Sequence, residues 1–206
     1  MIEIFKTVKK KLVSKYLKED NPKKKFKPRI KARIRKNKQF FTKNLDNFFD
    51  WIKGAELVEL KECNTEEDPV RPELDNNFRR SYGRRIYGVK FKNEIHAVMC
   101  FAYTNEIPKS VDELDKLSQD AYLQSTLRGQ IVGKIAIAYT VWSKKKGGGK
   151  LIVKEVFKKI KKSNHLNRLV TLSPLTDMAY KFHSKNGAKL IQVNETTQNF
   201  EYKVPK

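Results

Sequence analysis

The chain has 206 residues, with 45 Lys and Arg against 23 Asp and Glu, for a formal charge of +22 at pH 7. That length suits one globular domain with a sizeable core plus an extension, and argues against two large domains. The basic excess says little about fold but makes a polyanionic partner an expectation: nucleic acid, an anionic membrane surface or a phosphorylated ligand. Cys63 and Cys100 cannot form a metal site alone and neither lies in a C-x-x-C, so a reducing compartment is expected. Met1–Lys6 lacks the features of a secretory signal and no later run reaches the length of a membrane span, so a soluble cytoplasmic protein is expected.

Residues 1–44 hold 17 of the Lys and Arg residues, with only Glu3, Glu19 and Asp20 opposing them. Phe5, Val8, Leu12 and Tyr16 recur at helical spacing between lysines, which predicts a basic amphipathic helix ended by Asn21-Pro22. Lys23–Arg29 is nearly all charge and reads as an extended strap, after which Ile30 and Ile34 start another helical turn. As a functional element this arm would engage DNA or RNA phosphates, with Phe26, Phe40 and Phe41 available for stacking on a single strand; as a bland one it is a solvated leader. It contains no sequence-reading motif.

Phe41, Leu45, Phe48 and Ile52, widened by Phe49 and Trp51, mark a core-facing helix ending near Gly54. Glu56–Leu60 reads as a strand, Asn64–Pro72 as an acidic turn, and Leu74, Phe78 and Tyr82 as a short helical period. Ile86–Phe91 and Glu94–Thr104 form a hairpin turning at Lys92-Asn93, the second arm apolar enough for a central strand buried on both faces. Ser110–Glu113 is a capping box opening a helix marked by Leu114, Leu117 and Tyr122. A strand over Lys134–Trp142 then leads through a Lys/Gly turn into a helix with Leu151, Ile152, Val156, Phe157 and Ile160 inward. Strands at Leu169–Leu172 and Lys189–Val193 flank a helix over Thr176–Lys185 with Asn186-Gly187 as its C-cap, and Asn199–Val204 is a candidate last strand. The order is α/β with a mixed sheet.

In the turn Lys144–Lys150, Gly147, Gly148 and Gly149 stand at the mouth of a helix, where backbone N–H groups can approach an anion without Cβ interference. From spacing alone, a flexible surface turn fits as well. Two stretches together resemble one family. Lys144-x-x-Gly147-x-Gly149, between a strand and a helix, is similar to the pyrophosphate loop of the GCN5-related N-acetyltransferase (GNAT) superfamily, and Ala179-x-x-Phe182-His183-x-x-x-Gly187-Ala188 resembles that family's second signature. The resemblance covers about Ile86 to Val204, leaving residues 1–44 as a basic extension of a domain at 45–206, with Asn105–Gln130 as an insertion.

The resemblance implies a mixed, mostly antiparallel twisted sheet of the acyl-CoA N-acyltransferase type with flanking helices, and acetyl-CoA or another acyl-CoA as cosubstrate with no metal. Lys144, Lys145, Lys146, Gly147, Gly148, Gly149 and Lys150 would hold the pyrophosphate, and the pantetheine arm would run along Tyr139, Thr140 and Val141. An N–H near Val141 or Trp142 would polarise the acyl carbonyl. Thr176 replaces the family's frequent Asn, and His183 stands where a Tyr often protonates the departing thiolate. No base is evident; Glu94, His96 and Ser173 are the candidates, and Cys100 is read as packing. The implied activity is acyl transfer to an amine, with a nucleic-acid-associated or anionic acceptor. Alternatives are a base-modifying enzyme of the phage Mom type and a non-catalytic nucleic-acid-binding module on the same fold.

Overall fold

A computed structural model describes residues 46–202 other than Ile131. The chain divides into two units, Met1–Gly54 and Ala55–Lys206. The predictions for residues 1–44, Leu45 and the end of the last strand beyond Tyr202 lie outside the described residues. Of the first unit, residues 46–54 are helical. Trp51 is fully buried there and Phe49 is 9% exposed, whereas Phe48 is 40% exposed, so the buried side centres on 49 and 51 rather than on 48 and 52.

The second unit is built on an eight-stranded sheet: β1 (Glu56–Leu60), β2 (Arg85–Phe91), β3 (Glu94–Thr104), β4 (Ile135–Ser143), β5 (Arg168–Thr171), β6 (Ser173–Pro174), β7 (Ala188–Val193) and β8 (Thr197–Tyr202). The spatial order is β1-β2-β3-β4-β5-β8-β6, with β7 also on β8. Every pairing is antiparallel except β4 with β5. The helices are α1 (Asn76–Arg80), α2 (Val111–Arg128), α3 (Gly148–Lys161) and α4 (Asp177–Lys185), with single 3-10 turns at Thr65–Glu67 and Ser81–Gly83. Among the described residues no helix is long and apolar enough to cross a membrane.

Local chemistry sets these elements. Lys92 and Asn93 both take left-handed φ values, 49° and 66°, the two-residue turn whose twist matches its flanking strands. At α2 the Ser110 side chain accepts from Glu113 N, and the Glu113 carboxylate accepts from Lys109 N. The inner face of α2 is Leu114, Ser118 and Ala121, while Tyr122 is 46% exposed. A polar residue holds the middle position because Ser118 Oγ accepts from the buried guanidinium of Arg84 at 2.7 Å.

Two irregularities of β4 shape the molecule. Tyr139 is an extra residue in its ladder with β3: Cys100 faces Thr140, but the next residue, Phe101, faces Ala138. Such a bulge shifts the in/out alternation by one, and Ile135, Ile137 and Tyr139 before Thr140 share a buried cluster with Trp142 after it. On its other side, β4 pairs with β5 only from Ile135–Arg168 to Ala138–Thr171. β4 runs on to Ser143 against β3, while the other chain passes into β6, which pairs with β8. The two strands part, and a wedge opens along the unpaired edge of β4.

Candidate active site

The wedge leads into a cavity of about 330 Å³. Its walls are β4 from Ala138 to Ser143, Lys144, Ser173, Pro174 and Thr176 across the gap, Gly149 and Val153 of α3, and Met178, Ala179, Phe182 and His183 of α4. The three glycines make this closeness possible in different ways. Gly147 is the N-cap of α3 at φ 86°, which a side chain would strain. A Cβ on Gly148 would lie 3.0 Å from Ser143 Cβ, and one on Gly149 would lie 3.1 and 3.2 Å from two ring atoms of Phe182. Bare backbone therefore seats the helix N-terminus against the end of β4. Gly148 N bonds Lys145 O and Leu151 N bonds Gly147 O; Gly149 and Lys150 lie in the first turn, where N–H groups have no acceptor within the helix. Lys144, Lys146 and Lys150 are exposed around this terminus. Lys144 Nζ reaches Glu67 Oε1 at 2.6 Å, and Lys145 Nζ lies 4.8 Å from the Phe91 ring centroid.

Under the wedge lies a buried polar chain. His183 Nε2 is 2.9 Å from Ser173 Oγ, and its Nδ1 is 2.8 Å from the Tyr202 hydroxyl. Ser173 Oγ also lies 3.0 Å from Thr171 Oγ1, which accepts from Phe200 N. The imidazole is 4% exposed and stacks on Phe200 with centroids 4.9 Å apart. Burial lowers its pKa from 6.5 to about 4, and burial also pushes the Tyr202 hydroxyl up. At neutral pH the ring is uncharged, with one nitrogen donating and the other accepting. A proton that enters at one end while another leaves at the other switches the tautomer and leaves the ring uncharged.

No protein-family model matches the sequence, and no curated protein does. In three dimensions the loading GNATL domain of CurA from Lyngbya majuscula is similar, at 12% identity over 72% of this chain and 96% of that one, with a TM-score of 0.52. The chain has the GNAT fold. Also similar are the N-acetyltransferase PseH from Campylobacter jejuni in complex with acetyl coenzyme A (16% identity, 72% of this chain and 98% of that one, TM-score 0.43) and a malonyl-CoA decarboxylase from Cupriavidus metallidurans (21% identity, 68% of this chain, TM-score 0.43). This chain spans 36% of that decarboxylase and 41% of the one from Agrobacterium vitis. At these identities the likeness is one of fold.

On the GNAT frame the residues singled out in the sequence separate into those that line the cavity and those that do not, the latter including Lys145, Lys146, Gly147, Gly148 and Lys150 at its helix end. Tyr139, Thr140, Val141, Trp142, Lys144, Gly149, Ser173, Thr176 and His183 all line the cavity. The Thr176 hydroxyl is engaged as the N-cap of α4, accepting from Ala179 N. Glu94 sits at the hairpin, its side chain 78% exposed and 3.7 Å from His96 Nε2, and does not line the cavity. His96 instead lines a smaller neighbouring pocket of about 190 Å³. Cys100 is fully buried, accepting from Arg79 Nη1, and burial raises its thiol pKa well above the ordinary value.

A second cluster, with no signal in the residue pattern, lies against the other side of the bulge. Asp68, Arg71 and Arg79 are 1%, 8% and 0% exposed. Asp68 accepts from Val70 N, Arg71 N, Arg79 Nη2 and the Thr140 hydroxyl. Arg79 also donates to Leu74 O and Arg71 O. Arg71 donates through Nε to Tyr139 O at 2.9 Å and through Nη2 to Leu172 O at 3.1 Å, and burial lowers its pKa. Tyr202 was likewise missed as a site residue; the inward setting of Phe200 and Tyr202 on β8 is the signal that pointed to it.

Proposed function

We propose that the cavity binds an acyl-CoA and that the protein is an acyl-CoA-dependent N-acyltransferase. The reading is carried by one observation: the wedge beside β4 ends at a helix N-terminus stripped of side chains at Gly147–Gly149. The first-turn amides and Lys144, Lys146 and Lys150 suit a pyrophosphate. The open edge of β4 from Tyr139 to Trp142 offers backbone pairing to the amides of a pantetheine arm, and an N–H near Val141 a donor to the thioester oxygen. The Ser173 hydroxyl, backed by neutral His183 and Tyr202, gives a proton to the departing thiolate and regains the one that the acylated amine releases, so that the chain ends neutral. Because His183 is uncharged, it acts here as a link in the chain rather than as an imidazolium acid. The +22 charge of the whole chain favours an acceptor amine on an anionic molecule, DNA or RNA held through residues 1–44 included.

A second reading is decarboxylation of a malonyl-type thioester, favoured by what the cavity wall offers. Among the described lining residues the only carboxylate is Glu67, already paired with Lys144, so these residues offer an amine no free carboxylate as base. Loss of CO2 needs no base. It needs a donor at the thioester oxygen and a proton for the carbon left behind, which the Ser173 hydroxyl can pass on and regain from solvent.

Calorimetry with acetyl-CoA and malonyl-CoA tests the binding, and absence of both refutes the proposal. Thiol release from acetyl-CoA that depends on an added amine supports transfer. Conversion of malonyl-CoA to acetyl-CoA with no amine present selects decarboxylation.

A further inference from the structure

Arg71 does not line the cavity, yet it stands at the vertex of the wedge. Its two hydrogen bonds go to Tyr139 O, on the bulge of β4, and Leu172 O, just past the last paired residue of β5. Both carbonyls stand where the two strands part, and one guanidinium bridges them. The side chain is fixed from below, because Asp68 holds the Arg71 backbone N–H and, through the Thr140 hydroxyl, the residue after the bulge. Asp68 pairs directly with the buried guanidinium of Arg79, and Arg71 has Glu73 and Asp68 as its nearby carboxylates.

Tyr139 O and Thr140 N–H belong to the same peptide group. In a trans peptide the two point in opposite directions, so holding the carbonyl fixes the peptide plane from which β4 runs on to Val141.

We propose that Arg71 is a positioning residue for the thioester, setting the opening between β4 and β5 and with it the place of the N–H near Val141 against the carbonyl oxygen of the bound acyl group. This rests on the acyl-CoA reading of the cavity. Acting through the strand and not by contact, Arg71 speeds the chemical step more than it tightens binding.

Arg71→Lys keeps the charge but cannot bridge both carbonyls, and Arg71→Met removes both features. The affinity for acetyl-CoA by calorimetry is expected to stay within about threefold of wild type in Arg71→Lys, while kcat for the thioester reaction drops by about tenfold, less than the ~10²–10³ of a direct oxyanion donor, and further in Arg71→Met. The infrared carbonyl band of bound acetyl-CoA labelled with 13C at C1 is expected at lower wavenumber than free thioester in wild type and to move back toward the free position in both variants. This band needs binding alone, so it decides the point even without turnover. An unchanged band and kcat overturn the proposal, and so does a loss of affinity in step with kcat, which would make Arg71 only a brace. Failure of wild type to bind acetyl-CoA refutes the underlying acyl-CoA reading, whatever the variants do.

Discussion

Acid should destabilise this protein through one imidazole. His183 is buried between Phe200, Ser173 and Tyr202, with a pKa near 4 in the folded chain against 6.5 for the free side chain. Between those two values the unfolded chain binds a proton that the folded one refuses. The contribution of the neutral ring is thus fully present above pH 6.5 and is lost as the pH falls toward 4. At about 1.4 kcal/mol per pH unit, the loss reaches about 3 kcal/mol by pH 4. Urea unfolding of wild type and His183→Gln at pH 7 and pH 4.5 measures it: carboxylates contribute alike in both proteins, and the extra acid loss in wild type is expected to be roughly 2–3 kcal/mol. The His183 ring resonances in an NMR titration provide a check that requires no variant. Equal acid losses in the two proteins, or a His183 titration near 6.5, would refute the reasoning.

Asp68→Asn keeps shape but leaves Arg79 fully buried without its counter-charge; a loss of about 3–5 kcal/mol is expected in chemical denaturation, and a loss below about 1 kcal/mol would show that the carbonyls alone suffice. Gly149→Ala sets a methyl against the Phe182 ring and should destabilise by about 1–2 kcal/mol despite the better helix propensity of Ala; in a Phe182→Ala background that cost should vanish, and strict additivity in thermal melts would contradict the packing account. Lys144→Ala removes an exposed ion pair with Glu67, so stability should change by less than about 1 kcal/mol, while the Kd for acetyl-CoA should rise several-fold; an unchanged Kd would remove Lys144 from the pyrophosphate site.

Elements governed by local chemistry could be read directly from the residues. The β2–β3 hairpin follows from a left-handed pair at Lys92-Asn93 between apolar runs, and α2 from the Ser110 cap. The glycine loop and the His183 segment could be recognised because their spacing is local. The Asp68–Arg71–Arg79 cluster could not. Asp68 and Arg71 lie in a polar, proline-containing turn and Arg79 on the short helix after it; all three look solvated until the turn folds under β4, and several of their partners are backbone carbonyls, which no residue type announces. Ser173 and His183 were separate candidates, but the chain joining them to Tyr202 depends on β8 lying beside β5, a pairing that no pattern near either residue encodes. Leu114, Leu117 and Tyr122 mark α2 by their spacing, but such spacing ranks apolar residues alone, and a hydrogen-bonded serine, Ser118, holds the inward side beside Leu114 and Ala121.

The bonds around the bulge also constrain how the protein assembles. Asp68 meets Thr140 across 72 residues of chain, and Arg71 meets Leu172 across 101. Links of such range carry a large loop-closure cost, and structures dominated by them fold slowly. The wedge therefore depends on distant parts of the second unit meeting, and a fragment that ends before β5 would lack its vertex even with β1 to β4 intact. During synthesis, the glycine loop emerges before the strand that turns it into one wall of a cleft.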